Sequence, residues 1–219
     1  MNTFDYPSDA DVEGGGPIDF SALRFSDILV LQGEEEQHID SRTKSIVTSR
    51  IVGNAVHLND QILLFTVVHQ QRADQVTRIV NLEKYEFCLQ DNENEDEFVD
   101  CTIAVQYKAA EGKIVEGFSE ALLHKQTKHS QGVFSKGIGI QFYRKALDFI
   151  ASLAKKKGVC ITDTVQQGAT ASPHGQGRLT NEQWERTFTS VLTDYGYTQT
   201  NAVKGEMVFR KRHEPVATQ

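Results

Sequence analysis

Two glycines at the head of a helix are the first residues in this chain with chemistry to offer. In "SKGIGIQFYRKALDFIASLAKKKG", residues 135–158, Gly137 and Gly139 stand immediately before a long amphipathic run. The first N–H groups of a helix have no intrahelical partner and lie at the positive end of its dipole, and missing side chains let an anion approach them. The pattern fits a phosphate cradle, and it fits equally a chain that merely starts a helix, because a lone GxG is weakly specific. The second candidate chemistry is proton transfer. Glu116 and Glu120 in "KIVEGFSEALLHKQ" share one face at strand spacing, with Phe118 between them. Such a carboxylate serves either as a general base or as a solvated charge on a sheet.

Other constellations carry less. His124 and His129 are five apart, a spacing that suits neither strand nor helix ligation, and no cysteine or carboxylate completes a set, so no metal site is expected. "DNENEDE", residues 91–97, has Asp96 where a calcium loop requires glycine and reads as a solvated loop. No GxSxG elbow marks a nucleophile. His174 reads as solvated, and Trp184, where a helix opens, as a core anchor.

These residues need a scaffold, and the chain has the means to build one. It has 219 residues, 39% of them apolar, enough for a substantial core. The formal net charge of -7 argues against a general nucleic-acid binder, which needs a clustered basic face. "KKKG" at 155–158 reads as a cationic last helical turn. There is no apolar run long enough to cross a membrane, and "MNTFDYPSDADVEGGGPIDF" lacks the regions of a signal peptide, so a cytoplasmic or otherwise intracellular protein is expected. Cys88, Cys101 and Cys160 match neither a disulfide framework nor a CxxC site and read as reduced, mostly buried thiols.

Residues 1–20 are acidic, glycine-rich and poor in aliphatics, the composition of a flexible tail, and the end from 214 reads the same way. A single α+β domain is expected over 21–213. Its first half is dominated by β signals: "SDILVLQG", "KSIVTSRIVG", "DQILLFTVVHQQ", "FVDCTIAVQYK" and "KIVEGFSEALLHKQ". "VTRIVNLEKYEFCLQ" is open between strand and short helix. "CTIAVQYK-AAEG-KIVEGFSEALL" predicts a hairpin, and Gly117 within it a bulge or a close backbone approach.

After residue 135 the period changes. Tyr143, Ala146, Leu147, Ile150, Leu153 and Ala154 follow helical spacing, and Phe142 and Phe149 widen the stripe to suit a sheet. Gly158 ends that helix. "VCITDTV" reads as a buried strand, and "QQGATASPHGQGRL" as a long loop of the functional or mobile kind. A second helix opens at "TNEQ" with a Thr180 and Gln183 capping box, runs through Phe188, Val191, Leu192 and Tyr195 to Gly196, and is followed by a closing hairpin of "YTQTN" and "EMVFRKR".

The order strand, glycine turn, amphipathic helix, strand, helix, hairpin resembles the second half of the GNAT superfamily of acetyl-CoA-dependent N-acetyltransferases. The resemblance covers about residues 101–212 and is anchored on "SKGIGIQFYRKALDFIASLAKKKGVCI", "VLTDYGY" and the terminal hairpin. It implies a central mixed, mostly antiparallel sheet with helices on both faces and a β-rich N-terminal half. It implies acetyl-CoA or another acyl-CoA as cofactor, and transfer of its acyl group to an amine. In the family's pattern Gln/Arg-x-x-Gly-x-Gly/Ala, Gly137 and Gly139 fill the glycine places and Lys136 the basic place before them. Ile138, Ile140 and Gln141 would supply neighbouring N–H groups, and Arg144 or Lys145 would reach a nucleotide phosphate. Glu120 or Glu116 would assist deprotonation of the amine, and the 166–179 loop would border the acceptor. Phe134 stands at the Gln/Arg place, and Leu192 at the place of the tyrosine that protonates the leaving thiolate. A scaffold with those two replacements also suits a non-catalytic protein that binds a macromolecular partner.

Overall fold

The structure, a computed structural model, describes residues 23–30, 34–58, 61–93, 98–126, 138–167, 181–200 and 207–215. The expected N-terminal tail lies outside them, as do Lys136, Gly137, most of the long loop and the residues of "DNENEDE" from 94 on. Six antiparallel strands come first: β1 (Glu35–Asp40), β2 (Ser45–Leu58), β3 (Gln61–Asp74), β4 (Val80–Asp91), β5 (Phe98–Ala110) and β6 (Lys113–Gln126). Then follow helix α1 (Ile138–Lys157), β7 (Cys160–Gln167), helix α2 (Asn181–Asp194), β8 (Thr198–Thr200) and β9 (Met207–His213). They form one nine-stranded sheet in the order β1-β2-β3-β4-β5-β6-β7-β9-β8. It is mixed and mostly antiparallel; β6 and β7, joined through α1, pair in parallel. The α+β class and the strand–helix–strand–helix–hairpin order hold as expected.

Period-two alternation decides the segment left open in the sequence. In β4, Glu83, Tyr85, Phe87 and Leu89 are buried while Lys84, Glu86 and Cys88 between them are only half-buried, a strand pattern that no helix produces. The same alternation in β3, β5 and β7 puts Leu63, Phe65, Val67, Val99, Cys101, Ile103, Val105, Ile161 and Val165 on one face. Helix α1 lies across that face: Phe149 meets Tyr85 and Phe87 edge-on, with centroids 4.8 and 4.9 Å apart. α2 joins the same core, where Phe188 packs at 4.9 Å from Tyr143 of α1 and Leu192 is fully buried. Both described helices thus lie on one face, where helices on both faces were expected, because the apolar positions of the strands all point one way. The opposite face carries Gln70, Lys84, Glu86, Asp100, Gln106 and Glu120, which solvent can satisfy.

One expected strand is not a strand. "SDILVLQG" begins within a 3-10 helix over Phe25–Leu29, which buries Phe25 and Ile28 and leaves Val30 70% exposed. Burial at i and i+3 is what a 3-10 turn delivers on one side, and the short apolar run is spent on closing the core rather than on joining the sheet. Phe25 stacks on Phe87 at 4.2 Å and meets Phe142 of α1 at 4.8 Å, while Arg50 donates to the Ile28 carbonyl at 2.8 Å.

The hairpin between β5 and β6 turns on Glu111 and Gly112, both at positive φ (51° and 77°), the two-residue turn whose twist suits paired strands. All three cysteines are free; Cys101 is buried, and Cys88 and Cys160 are half-buried. No helix among the described residues is long and apolar enough to cross a membrane.

The far end of α1 is fixed by a buried charge. Glu83 on β4 is fully buried and accepts from Lys157 Nζ at 2.6 Å, Tyr107 Oη at 2.6 Å, Tyr85 Oη at 3.1 Å and Gln71 Nε2 at 2.5 Å. His69 Nε2 lies 3.6 Å away, an electrostatic neighbour too distant for a direct hydrogen bond. Burial alone would raise this carboxyl, but His69, Lys157 and Tyr107 outweigh it and hold the pKa at about 2. An acid whose folded pKa is depressed stabilises the fold above its unfolded pKa and loses that contribution as pH falls toward the folded one. Replacing Glu83 with alanine is expected to cost about 3 kcal/mol at pH 7, because it leaves the Lys157 ammonium and two phenols without their acceptor. Urea unfolding measures this cost, and the gap between wild type and variant should close as pH is lowered from about 4.5 to about 2.

Candidate functional site

The parallel contact between β6 and β7 is short. Glu116 to Glu120 pair with Cys160 to Thr164, and there the pairing stops. Beyond it β6 continues to Gln126 along β5, with Ala121 opposite Ile103 and Gln126 opposite Phe98. β7 continues to Gln167 along β9, with Val165 opposite Phe209 and Gln167 opposite Met207. Each strand therefore keeps its outer neighbour and loses its inner one, so the carboxyl ends of two parallel strands diverge. Among the described residues, no strand bonds the backbone donors and acceptors on the two inner edges of this fork. Such a fork is also the place where ligands bind in open sheets that carry a crossover helix.

The residues around the fork sort by face. On the open face Glu120 is exposed and occupies the last paired position, opposite Thr164. Glu116 shares that face, as the period predicts, but four residues back, about 13 Å along the strand. It lies within 3.4 Å of Arg212, whose Nε donates to Glu214 at 2.8 Å. Glu214 is exposed. Phe118 between the two carboxylates is 47% exposed.

On the covered face a second buried carboxylate sits just inside the fork. Asp163 Oδ1 accepts from Ser119 Oγ and Oδ2 from Tyr197 Oη, both at 2.5 Å. Burial raises its pKa above the ordinary carboxylate value, and the hydrogen bonds from Ser119 and Tyr197 oppose that rise. Tyr197 reaches this site because α2 ends in a glycine turn: Gly196 adopts φ 77°, and the Tyr197 N–H returns to the Leu192 carbonyl at 2.9 Å, which swings the tyrosine inward. Ser119, Asp163 and Tyr197 tie β6, β7 and the end of α2 together. The sequence reading missed all three. Ser119 and Asp163 fall on the buried phase of their strands, and a polar residue on that phase is the signal that could have found them.

The candidate anion-binding residues separate in the same way. Ile138 and Gly139 open α1 and are buried, and Ile140 packs against the core. The side chains of Ile138 and Ile140 therefore serve packing, and only their backbone N–H groups are left for a ligand. Gln141 and Arg144 are half-buried on the next turn. Leu192, at the expected tyrosine place, is fully buried in the core, and Tyr195 is half-buried, with its carbonyl accepting from Lys211 Nζ. The fold thus brings Glu120, the start of α1 and the Asp163 network to one end of β6 and β7, and leaves Glu116 at the other end of the pairing.

Comparison with protein-family models, with curated proteins and with solved structures finds no match to this chain.

Gly117 sits where a side chain would meet close neighbours. A Cβ built there would lie 3.1 Å from Ile161 Cγ1 and 3.2 Å from Tyr107 Cε1. Neither neighbour is free to yield: Ile161 is fully buried, and the Tyr107 ring is anchored through its hydroxyl to Glu83. The close neighbours at this glycine are side chains, where a bulge or a close backbone approach was expected, and the register shift lies nearby, at Lys108/Ala109. Gly117→Val is expected to cost about 1–3 kcal/mol of stability, measured by denaturant unfolding. A variant as stable as wild type would show that the parallel pair accommodates a side chain.

Proposed function

We propose that this protein is a GNAT-like acyltransferase that binds an acyl-CoA between the diverging ends of β6 and β7 and passes the acyl group to an amine. The observation that carries the reading is the fork itself: parallel pairing ends at Glu120 and Thr164 while both strands continue, with α1 as the crossover between them. In the family that the sequence resembles, such an opening admits the cofactor's arm. An extended arm bearing amides is a natural partner for unpaired strand edges, which recognise extended chains by backbone hydrogen bonds. The first N–H groups of α1, from Ile138 on, favour an anion such as the cofactor's pyrophosphate.

Under this reading Glu120 is the group that takes a proton from the attacking amine. It is exposed, stands at the apex of the fork and has no ion-pair partner among the described residues. Glu116 is the poorer candidate because Arg212 neutralises it and the strand carries it away from the apex. The rival reading, a non-catalytic protein that uses the same scaffold to hold a macromolecular partner, is favoured by one observation. Leu192, at the place of the proton-donating tyrosine, is fully buried and apolar.

Two measurements separate the readings. Acetyl-CoA at a hundredfold excess over its Kd should add about 2.7 kcal/mol by linkage. For a domain of this size that is a rise of about 5–10 °C in Tm. No shift at millimolar acetyl-CoA would exclude the cofactor. If binding is found, release of free CoA in the presence of an amine should fall about 10²- to 10⁴-fold in Glu120→Gln, the usual scale for a general base, and stay within a few-fold in Glu116→Gln. Binding with no turnover in wild type would favour the interaction reading.

A further inference from the structure

We propose that the outer edge of β2, over residues 52–58, is a docking edge for a second copy of this chain, which pairs with it antiparallel across a two-fold axis at Ala55. This surface lies four strands from β6 in the sheet and is independent of the acyl-CoA reading.

β2 is longer than the strand outside it. β1 pairs only with Ser45 to Arg50, while β2 runs on along β3, with Val52 opposite Val67 and Leu58 opposite Gln61. From Ile51 onward β2 is therefore an edge strand among the described residues. The 3-10 helix that precedes β1 does not extend β1 along this edge: Arg50 donates to its Ile28 carbonyl, and Ile28 is buried in the core on the covered face. Gly53, Asn54, Ala55 and His57 are exposed. Among the described residues, a Cβ built at Gly53 would come within 4 Å only of Thr66 and Phe65, both on β3.

A free strand edge presents a row of N–H and C=O groups that template pairing with another chain, and proteins blunt such edges with charge, proline, a bulge or brevity. The two outermost strands are blunted in this way: β1 carries Glu35, Glu36 and Asp40, and β8 has three residues. Residues 51–58, "IVGNAVHL", contain no carboxylate, lysine, arginine or proline, and no register shift interrupts their pairing with β3. On the open face beside this edge, Ile51 is 63% exposed, Ile62 51% and Leu64 40%. Ile62 stands opposite His57 and Leu64 opposite Ala55, so the exposed apolar side chains follow the unblunted length.

The chemistry of this edge is matched by the edge itself. In an isologous contact residue i meets j and j meets i. An axis at Ala55 sets Asn54 opposite Val56, Gly53 opposite His57 and Val52 opposite Leu58, pairs that oppose no like charges. Each copy's β2 then ends opposite Val52 of the other, short of Arg50, where β1 takes up the edge, so β1 and the incoming strand occupy different lengths. Pairing β1 with itself would instead bring three carboxylates from each copy together. The chain's net charge of -7 opposes contact between two copies in general, and an uncharged edge is where that opposition is weak.

Sedimentation equilibrium of the full chain, without ligand, tests this. Wild type should show a concentration-dependent dimer of twice the monomer mass. Because Ala55 stands opposite itself, Ala55→Lys and Ala55→Glu should each weaken association about tenfold or more by setting like charges across the axis, and their equimolar mixture should restore the dimer. Wild type that stays a monomer at about 100 µM overturns the proposal and leaves the edge to a segment of the same chain or to a different partner. A wild-type dimer that neither substitution weakens places the contact elsewhere and overturns it as well. So does a mixture no more associated than its two components. A variant that fails to fold also overturns it, because Ala55 would then be covered within its own chain.

Discussion

The second half of this fold depends on a short parallel ladder, Glu116 to Glu120 against Cys160 to Thr164. Parallel strands cannot be joined by a tight turn, so the ladder exists only because α1 carries the chain back across the covered face. That helix has two anchorages. Its apolar stripe packs on Tyr85, Phe87 and the 3-10 residue Phe25, and its last turn is held through Lys157 to the buried Glu83. The first supplies burial, and the second fixes position, since an ammonium must meet its carboxylate where water is excluded.

With α1 placed, the limits of the ladder follow from what each strand pairs with on its other side. β5 holds β6 out to Gln126, and β9 holds β7 out to Gln167, so past Glu120 and Thr164 the two strands are drawn to different neighbours. The Asp163 network closes the covered side of the divergence by joining β6, β7 and the end of α2 through one carboxylate. On the open side Glu120 stands at the apex with small and polar neighbours, Ala104 and Thr164. Among the described residues, the covered side of the fork is thus bridged by hydrogen bonds, and its open side carries an exposed carboxylate.

The two buried carboxylates behave differently for a physical reason. Glu83 faces a lysine and a histidine as well as phenols, so its charge is compensated and its pKa falls. Asp163 is buried and accepts only from uncharged donors, the Ser119 and Tyr197 hydroxyls and the Thr164 backbone N–H; the like charge of Glu120 adds to the effect of burial, so its pKa rises. One acts as a structural anchor above acid pH. The other is a polar junction whose ionisation burial opposes.

Much of this was legible in the residues themselves. The hairpin at Glu111 and Gly112, the stripe of α1 with its cationic end and the buried strand at 160–165 all follow from local patterns of period and charge, which act over a few residues. The strand character of "LEKYEFCLQ" was present too, in alternation that only burial on one face made plain. Other features were out of reach of local reading. "SDILVLQG" has strand composition, yet its place is decided by an aromatic cluster drawn from β3, β4 and α1. Glu116 and Glu120 look equivalent at period two, and only the point where β6 leaves β7 distinguishes them. Ser119, Asp163 and Tyr197 are far apart in the chain and converge because strand register and a glycine turn bring them together. Local composition determined which elements this chain forms; the pairing of strands distant in sequence decided where they diverge, and with that which polar groups meet at the site.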